Sequence, residues 1–481
     1  MSKQSANPFV NGVWITSDDR QTVDITSPYS GEVIGYQVLA TTVDVEQALQ
    51  TVHEAKDEIA SIPTYERARI LKKASSLLEL QKERFAKLIS LELGKPLKNT
   101  MDEVSRSIET LELSGEEAKR LVGETIPGDA SERGGQSYAS VFRVPVGVVA
   151  AITPFNAPLN LVCHKIGPAF AAGNTTILKP APQTTLIATE FLKLLHEAGL
   201  PENAVNMVLG GVEVGQQIVK DGRVNIISFT GGTVASKNIC ELAGMKKVLL
   251  ELGGNAPTVV HEDADVIEVA KQVAKTGFSN SGQSCISVQR LYVHRSIVNT
   301  LTETLKEEIL KLKVGDPLLP DTDVGTLVDV KAANRIREWI DEAVKAGATI
   351  VCGGEQKGAS VSPTLLINPP KTANVVCQEV FGPVVSILTY DTIDEAIAEA
   401  NDSDFGLQAG IFTNQMDTAY KFANALHTGG VIINGTSNFR LDHWPYGGVK
   451  NSGIGREGPH YAIQEMTETK MIVFQLPSKQ T

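Results

Sequence analysis

Val146-Gly-Val-Val-Ala-Ala-Ile-Thr153 is a short, uncharged run rich in β-branched residues, and similar runs follow it at intervals. They are Asn174-Thr-Thr-Ile-Leu-Lys179, Ala204-Val-Asn-Met-Val-Leu209, Asn225-Ile-Ile-Ser-Phe229 and Lys247-Val-Leu-Leu-Glu251. Between them lie helical segments such as 185–198, stopped by Gly199 and Pro201. Strand–helix units repeated in this way call for a parallel sheet with helices on both faces. A second series begins near Asp265 and runs through Leu291-Tyr-Val-His294, Thr349-Ile-Val-Cys352, Val384-Val-Ser-Ile-Leu388 and Gly430-Val-Ile-Ile-Asn434, with helices near 296–312, 330–346 and 393–401. The fold class is therefore α/β, with two doubly wound parallel-sheet domains.

Upstream, residues 65–93 carry Ile70, Leu71, Ala74, Leu77, Leu78, Phe85, Leu88 and Ile89 at helical spacing, which predicts one amphipathic helix closed by Gly94 with Pro96 beyond. A second helix is expected over about 100–122. Gly123–Arg143 then turns polar and ends in the alternating Ser137-Tyr-Ala-Ser-Val-Phe-Arg143, a strand pattern. The last stretch, Thr469-Lys-Met-Ile-Val-Phe-Gln475, is a strand with no later partner in sequence, so it and this ribbon are expected to pair with another subunit.

The 481 residues carry a net charge of −12, and no run is apolar enough to span a bilayer. An acidic chain without a basic face argues against nucleic acid or an anionic membrane as partner. The N-terminus lacks the apolar stretch of a signal peptide. Five scattered cysteines without CxxC pairs suit a reducing, cytoplasmic setting. The eight histidines show no HxxxH or HExxH spacing, so no metal site is expected.

Chemistry is concentrated at Cys285, which ends the small polar run Phe278-Ser-Asn-Ser-Gly-Gln-Ser-Cys285. Well upstream stands Leu250-Glu251-Leu252-Gly253-Gly254-Asn255, a carboxylate followed by a glycine pair. A thiol and a separately placed carboxylate suit a reaction in which sulfur attacks first and an activated water second. Ser228-Phe-Thr-Gly-Gly232 is a glycine-rich strand-to-helix turn, where backbone N–H groups and the helix dipole favour a phosphate.

With Thr153-Pro-Phe-Asn156, Leu178-Lys179-Pro180, Ser228-Phe-Thr-Gly-Gly232, Glu251-Leu-Gly-Gly-Asn255, Gly282-Gln-Ser-Cys285, Glu379-Val-Phe-Gly-Pro383 and Pro445-Tyr-Gly-Gly-Val-Lys-Asn-Ser-Gly453 in this order, nearly the whole chain resembles the aldehyde dehydrogenase superfamily. The resemblance implies that Cys285 attacks the aldehyde, that Asn156 and the cysteine N–H hold the oxyanion, and that Glu251 activates the water that hydrolyses the thioester. It implies a dinucleotide-binding domain over 1–123 and 144–252, a catalytic domain over 253–463, and oligomerisation strands at 124–143 and 464–481 that build a homodimer or homotetramer. The cofactor, NAD or NADP, would be held by Thr153, Pro154, Phe155, Lys179, Pro182, Thr230, Gly231, Gly232, Leu252, Glu379 and Phe381. Many NAD-preferring members carry a glutamate where this chain has Pro182, and often a serine where it has Gly232. NADP is therefore admissible, with Lys179 as the partner of its 2′-phosphate.

On the substrate side, Arg106, His164, Ser284 and Arg440 fall where members acting on short anionic aldehydes keep specificity residues. Among those members are non-phosphorylating glyceraldehyde-3-phosphate and phosphonoacetaldehyde dehydrogenases. Such members tend to have arginine where this chain has Ser284, and the overall likeness is to the lactaldehyde-dehydrogenase-like branch. Two readings compete with aldehyde hydrolysis to the acid: a CoA-acylating dehydrogenase, against which Glu251 counts, and a non-catalytic member, against which Cys285, Glu251 and Asn156 together count.

Overall fold

The first series of strands forms the middle of an eight-stranded sheet in the computed structural model, which describes residues 4–18 and 20–475. Its order is Gly453–Ile454, Lys247–Glu251, Ile226–Thr230, Val148–Ile152, Thr175–Lys179, Val205–Met207, Phe9–Val10, Val13–Trp14. The five central strands are parallel. The hairpin at one edge and Gly453–Ile454 at the other run antiparallel. Every residue of Val148–Ile152 and Thr175–Lys179 is buried, which explains the unbroken apolar character of the first. Strand order reverses between Val148–Ile152 and Ile226–Thr230, so a crevice opens beyond their carboxyl ends, the usual ligand position in such sheets.

The second series builds a seven-stranded sheet: Thr349–Cys352, Thr364–Ile367, Val384–Tyr390, Arg290–His294, Pro257–Val260, Gln408–Phe412, Gly430–Ile433. All pairings are parallel except Thr349–Cys352, an edge strand with a bulge between Ile350 and Cys352.

The expected helix over 65–93 is two helices, Thr64–Leu80 and Lys82–Leu93, broken at Gln81. No apolar side chain between Leu78 and Phe85 reaches the core, since Leu80 is 83% exposed, so nothing holds that turn straight. Gly94 does end the pair, with φ 69°. The helix expected near 100–122 spans Leu97–Ala118. The last strand, Thr467–Phe474, has a partner within its own chain: it runs antiparallel to Tyr138–Pro145, which also pairs with Glu124–Pro127. Tyr138 stacks on Phe474 at 4.8 Å between ring centroids, locking this register. Residues 476–481 of the expected oligomerisation segment, and 1–3 and 19 of the expected dinucleotide-binding segment, lie outside the described residues.

Candidate active site

Helix Val266–Gly277 starts from an Asp265 cap, whose carboxylate accepts the Ile267 and Glu268 N–H groups, and delivers the chain to the cysteine loop. There Asn280, Ser281 and Gly282 take φ of 50°, 55° and 71° in succession, a left-handed turn that costs energy and persists only where surroundings fix it. The Asn280 side chain donates to the carbonyls of Asn156 (3.2 Å) and Gln283 (3.0 Å). Gln283 in turn accepts the Val328 N–H at 2.9 Å. Held this way, Cys285 turns its Sγ to within 2.9 Å of the Tyr446 hydroxyl. Burial pushes the thiol up to about 12, and the Tyr446 hydrogen bond opposes that push. The Cys285 N–H has no hydrogen-bond partner among the described residues.

Glu251 ends strand Lys247–Glu251 and is buried, with no hydrogen-bond partner on either carboxyl oxygen. Burial, reinforced by the charge of Glu457, raises its pKa well above the carboxylate range, against Arg440, Lys165 and Arg456. A carboxylate so placed is a stronger base than an exposed one, which suits proton abstraction near neutral pH. The glycine pair that follows is required by close approach. A Cβ on Gly253 would strike the Glu379 carboxylate, and one on Gly254 the Cys285 carbonyl. The Glu251 carboxylate lies against Gly447, one residue from the tyrosine that bonds Cys285. Thiol and carboxylate therefore flank the same two residues, the sulfur at the Tyr446 hydroxyl and the carboxylate beside Gly447.

At the carboxyl ends of the central strands, the Thr153 and Thr230 hydroxyls are buried without partners. Lys179 is buried with no hydrogen-bond partner among the described residues, and burial pulls its pKa down to about 8. Gly231 and Gly232 lead into helix Thr233–Ala243, and the space beside Gly232 is open. Pro182 is exposed at the head of the turn Pro182–Thr184, and Leu252 is buried. From the other domain, Glu379 accepts the Gly254 N–H at 3.0 Å, and burial raises its pKa to about 7. Phe381, at φ 49°, meets Phe155, beside Pro154, edge-on at 5.7 Å. Two orphaned hydroxyls, an unpartnered lysine and an open helix N-terminus form a donor set that fits a dinucleotide phosphate and ribose.

A cavity of about 1080 Å³ is walled by Arg106, Asn156, Ser284, Cys285, Arg440 and Tyr446, among others. In this wall Asp442 gathers three polar side chains. It takes Arg106 through two bonds (2.9 and 2.7 Å), Asn160 at 3.1 Å and His164 Nε2 at 2.8 Å. Against the cost of burial, His164 and Arg106 hold Asp442 well below the carboxylate range. Arg440 bonds Glu457 at 3.0 Å and lies over the Tyr446 ring at 3.9 Å. Glu457 also pairs with the fully buried Lys165 at 3.4 Å, and these cations hold it down to about 2 although burial pushes the other way.

Of the four residues expected together on the substrate side, Arg106 and Ser284 line the cavity, while His164 is fully buried behind it and does not. Arg440 reaches the cavity with 8% of its side chain exposed and directs its guanidinium to Glu457. Sequence reasoning missed Tyr446, Asp442, Lys165, Glu457 and Asn280. Tyr446 and Asn280 stood inside quoted motifs, but nothing local announced their hydrogen bonds.

The family model described as the aldehyde dehydrogenase family matches residues 14–472, and the chain belongs to that family. It is an oxidoreductase, an NAD(P)-dependent aldehyde dehydrogenase. A 3-sulfolactaldehyde dehydrogenase of Priestia megaterium is 45% identical over 469 residues, covering 97% of this chain and 98% of the relative. A lactaldehyde dehydrogenase of Methanococcus maripaludis is 40% identical over 470 residues, covering 97% and 99%. The solved NADP-dependent glyceraldehyde-3-phosphate dehydrogenase of Bacillus halodurans, complexed with NADP, superposes with a TM-score of 0.96 at 38% identity, covering 99% and 100%. Among the described residues no helix is long and apolar enough to cross a membrane, and no cluster of His, Cys, Asp and Glu is arranged to hold a metal ion.

Proposed function

We propose that this enzyme oxidises a short, hydroxylated aldehyde with an anionic tail to the carboxylic acid, with Cys285 as nucleophile and Glu251 as base. The observation that carries the reading is the placement of Cys285 Sγ against Tyr446 and of the unpartnered Glu251 carboxylate against the adjacent Gly447.

The Cys285 thiol gives up its proton to solvent, its sulfur adds to the carbonyl carbon, and the C=O electron pair moves to oxygen. That oxyanion needs donors where its charge develops. The unbonded Cys285 N–H and the second N–H of the Asn156 amide, whose first donates to Gln283 at 3.3 Å, are suited to supply them. Glu379 and Phe381 would hold the nicotinamide half of NAD(P), and Lys179, Thr153, Thr230 and the Gly231-Gly232 turn its adenosine half; when bound, the cofactor would supply the acceptor for the hydride leaving the aldehyde carbon. Glu251 then takes a proton from water, whose oxygen attacks the Cys285 thioester and releases the acid and the free thiol. The raised pKa of Glu251 fixes the sign of the pH dependence. Its protonated form is the inactive one, so turnover climbs as pH rises through its raised pKa, and Glu251→Gln stops turnover at the acyl-enzyme.

The anionic tail is supported by Arg106, whose side chain keeps 32% exposure beside the cavity, and by Lys275 on its wall, which has no ion-pair partner among the described residues. The names of the sulfolactaldehyde and lactaldehyde relatives agree with this chemistry. We propose further that the sheet of strands 124–127, 138–145 and 467–474, which exposes Phe142, Met471 and Val473, mediates a homodimer or homotetramer, and that the enzyme works in the cytoplasm. Steady-state rates with lactaldehyde, sulfolactaldehyde, glyceraldehyde 3-phosphate, succinic semialdehyde and benzaldehyde, each with NAD and NADP and with and without CoA, test the substrate reading. Anionic C3–C4 aldehydes should lead in kcat/KM independently of CoA. Preference for benzaldehyde, or a CoA-thioester product, contradicts it.

A further inference from the structure

Tyr446 is 6% exposed, and its backbone is clamped to Glu457 by reciprocal hydrogen bonds of 3.0 and 2.6 Å, so the direction of its ring is fixed. Its hydroxyl is the one hydrogen-bonding partner of Cys285 Sγ among the described residues. The other charged groups that act on the sulfur are Glu379 and Glu251, which disfavour a thiolate, and Arg440, which favours one. Arg440 lies over the phenol, 3.9 Å from the ring centroid. A cation on that face draws electron density from the ring and makes the O–H a better donor. Arg440 cannot swing toward a substrate anion without leaving Glu457 as a buried, half-paired carboxylate.

We infer that Tyr446 is a catalytic residue whose hydroxyl donates to the Cys285 thiolate and holds the sulfur in place for attack, and that Arg440 is a positioning residue that acts through the phenol rather than a receptor for the substrate's anionic tail. This rests on Cys285 being the nucleophile. Burial keeps the phenol protonated through neutral pH, consistent with a donor rather than a base.

The test is the pH dependence of Cys285 alkylation by iodoacetamide in the free enzyme, followed by peptide mass spectrometry so that the other cysteines do not contribute. The S–C bond forms as iodide leaves, and the thiol proton passes to solvent. Tyr446→Phe keeps the ring and the stack. Its alkylation midpoint should move about one pH unit higher, which slows the reaction about tenfold at pH 8, and the rate should recover at high pH. Arg440→Gln should move the midpoint the same way by a smaller amount and lower kcat/KM for neutral and anionic aldehydes alike. An unmoved midpoint in Tyr446→Phe, with thermal unfolding showing an intact fold, overturns the role of the tyrosine. Loss confined to anionic aldehydes in Arg440→Gln overturns the role of the arginine. Aldehyde oxidation surviving in Cys285→Ala sinks the underlying assignment instead, which keeps the two failures distinct.

Discussion

The two walls of the active site handle buried polar groups in opposite ways. At the proposed cofactor edge, Lys179 and the Thr153 and Thr230 hydroxyls have no hydrogen-bond partners among the described residues. On the substrate wall, Arg106, Arg440, His164 and Lys165 are already engaged by Asp442 and Glu457. Unpaired donors cost stability until a ligand meets them, so the cofactor edge is arranged to gain on binding. The substrate wall is stable by itself, and its charges act chiefly as a preset field around the sulfur and the carboxylate. Of these four, Arg106 alone keeps substantial exposure for a ligand.

This contrast breaks most visibly at Asp442. Asp442→Ala strips Arg106, His164 and Asn160 of a shared acceptor and should cost about 3–5 kcal/mol in urea unfolding, as removing one partner of a buried ion pair does. A loss under about 1 kcal/mol would mean the cluster is not integral to the fold. The same wall predicts acid lability. Glu457 is held down to about 2, below its unfolded value, so its contribution is present above the ordinary carboxylate range and lost as pH falls through it toward 2. Asp442 is shifted in the same direction. Unfolding midpoints measured from pH 6 to 3 should fall, and fall less in Asp442→Ala.

At the cofactor edge, Lys179→Ala should leave folding stability within about 1 kcal/mol. It should weaken NADP by about 1.5–3 kcal/mol, the usual range for a hydrogen bond to a charged group, and NAD by less, read by titration calorimetry. Equal losses for the two cofactors would remove Lys179 from the 2′ position. The smallest effect belongs to Thr230→Val, which replaces an unpartnered hydroxyl with a methyl. It should leave the unfolding midpoint unchanged or raise it slightly, while cofactor affinity drops by about 0.5–1.5 kcal/mol.

The parallel strands were legible because full burial on both faces writes them as apolar runs, and the glycine pair after Glu251 because two backbones must approach there. The break at Gln81 was not legible, since local periodicity continues across it and only the absence of core contact at Leu80 ends the helix. The strands Pro257–Val260, Thr364–Ile367 and Gln408–Phe412 went unread because short buried runs carry no period. In the site, motif positions marked Cys285, Glu251 and Asn156, but the direction of a loop side chain depends on distant partners. The burial of His164, the turn of Arg440 toward Glu457, and the bond from Tyr446 to the sulfur all arise from contacts between residues far apart in sequence.

Covalent oxidation through one sulfur, released by one carboxylate, is tested most directly by intact-protein mass spectrometry of Glu251→Gln mixed with aldehyde and NAD(P). One equivalent of NAD(P)H per subunit is expected, with an acyl adduct that maps to Cys285 and persists for minutes. Multiple turnovers with no adduct, or an adduct on another residue, would refute this chemistry.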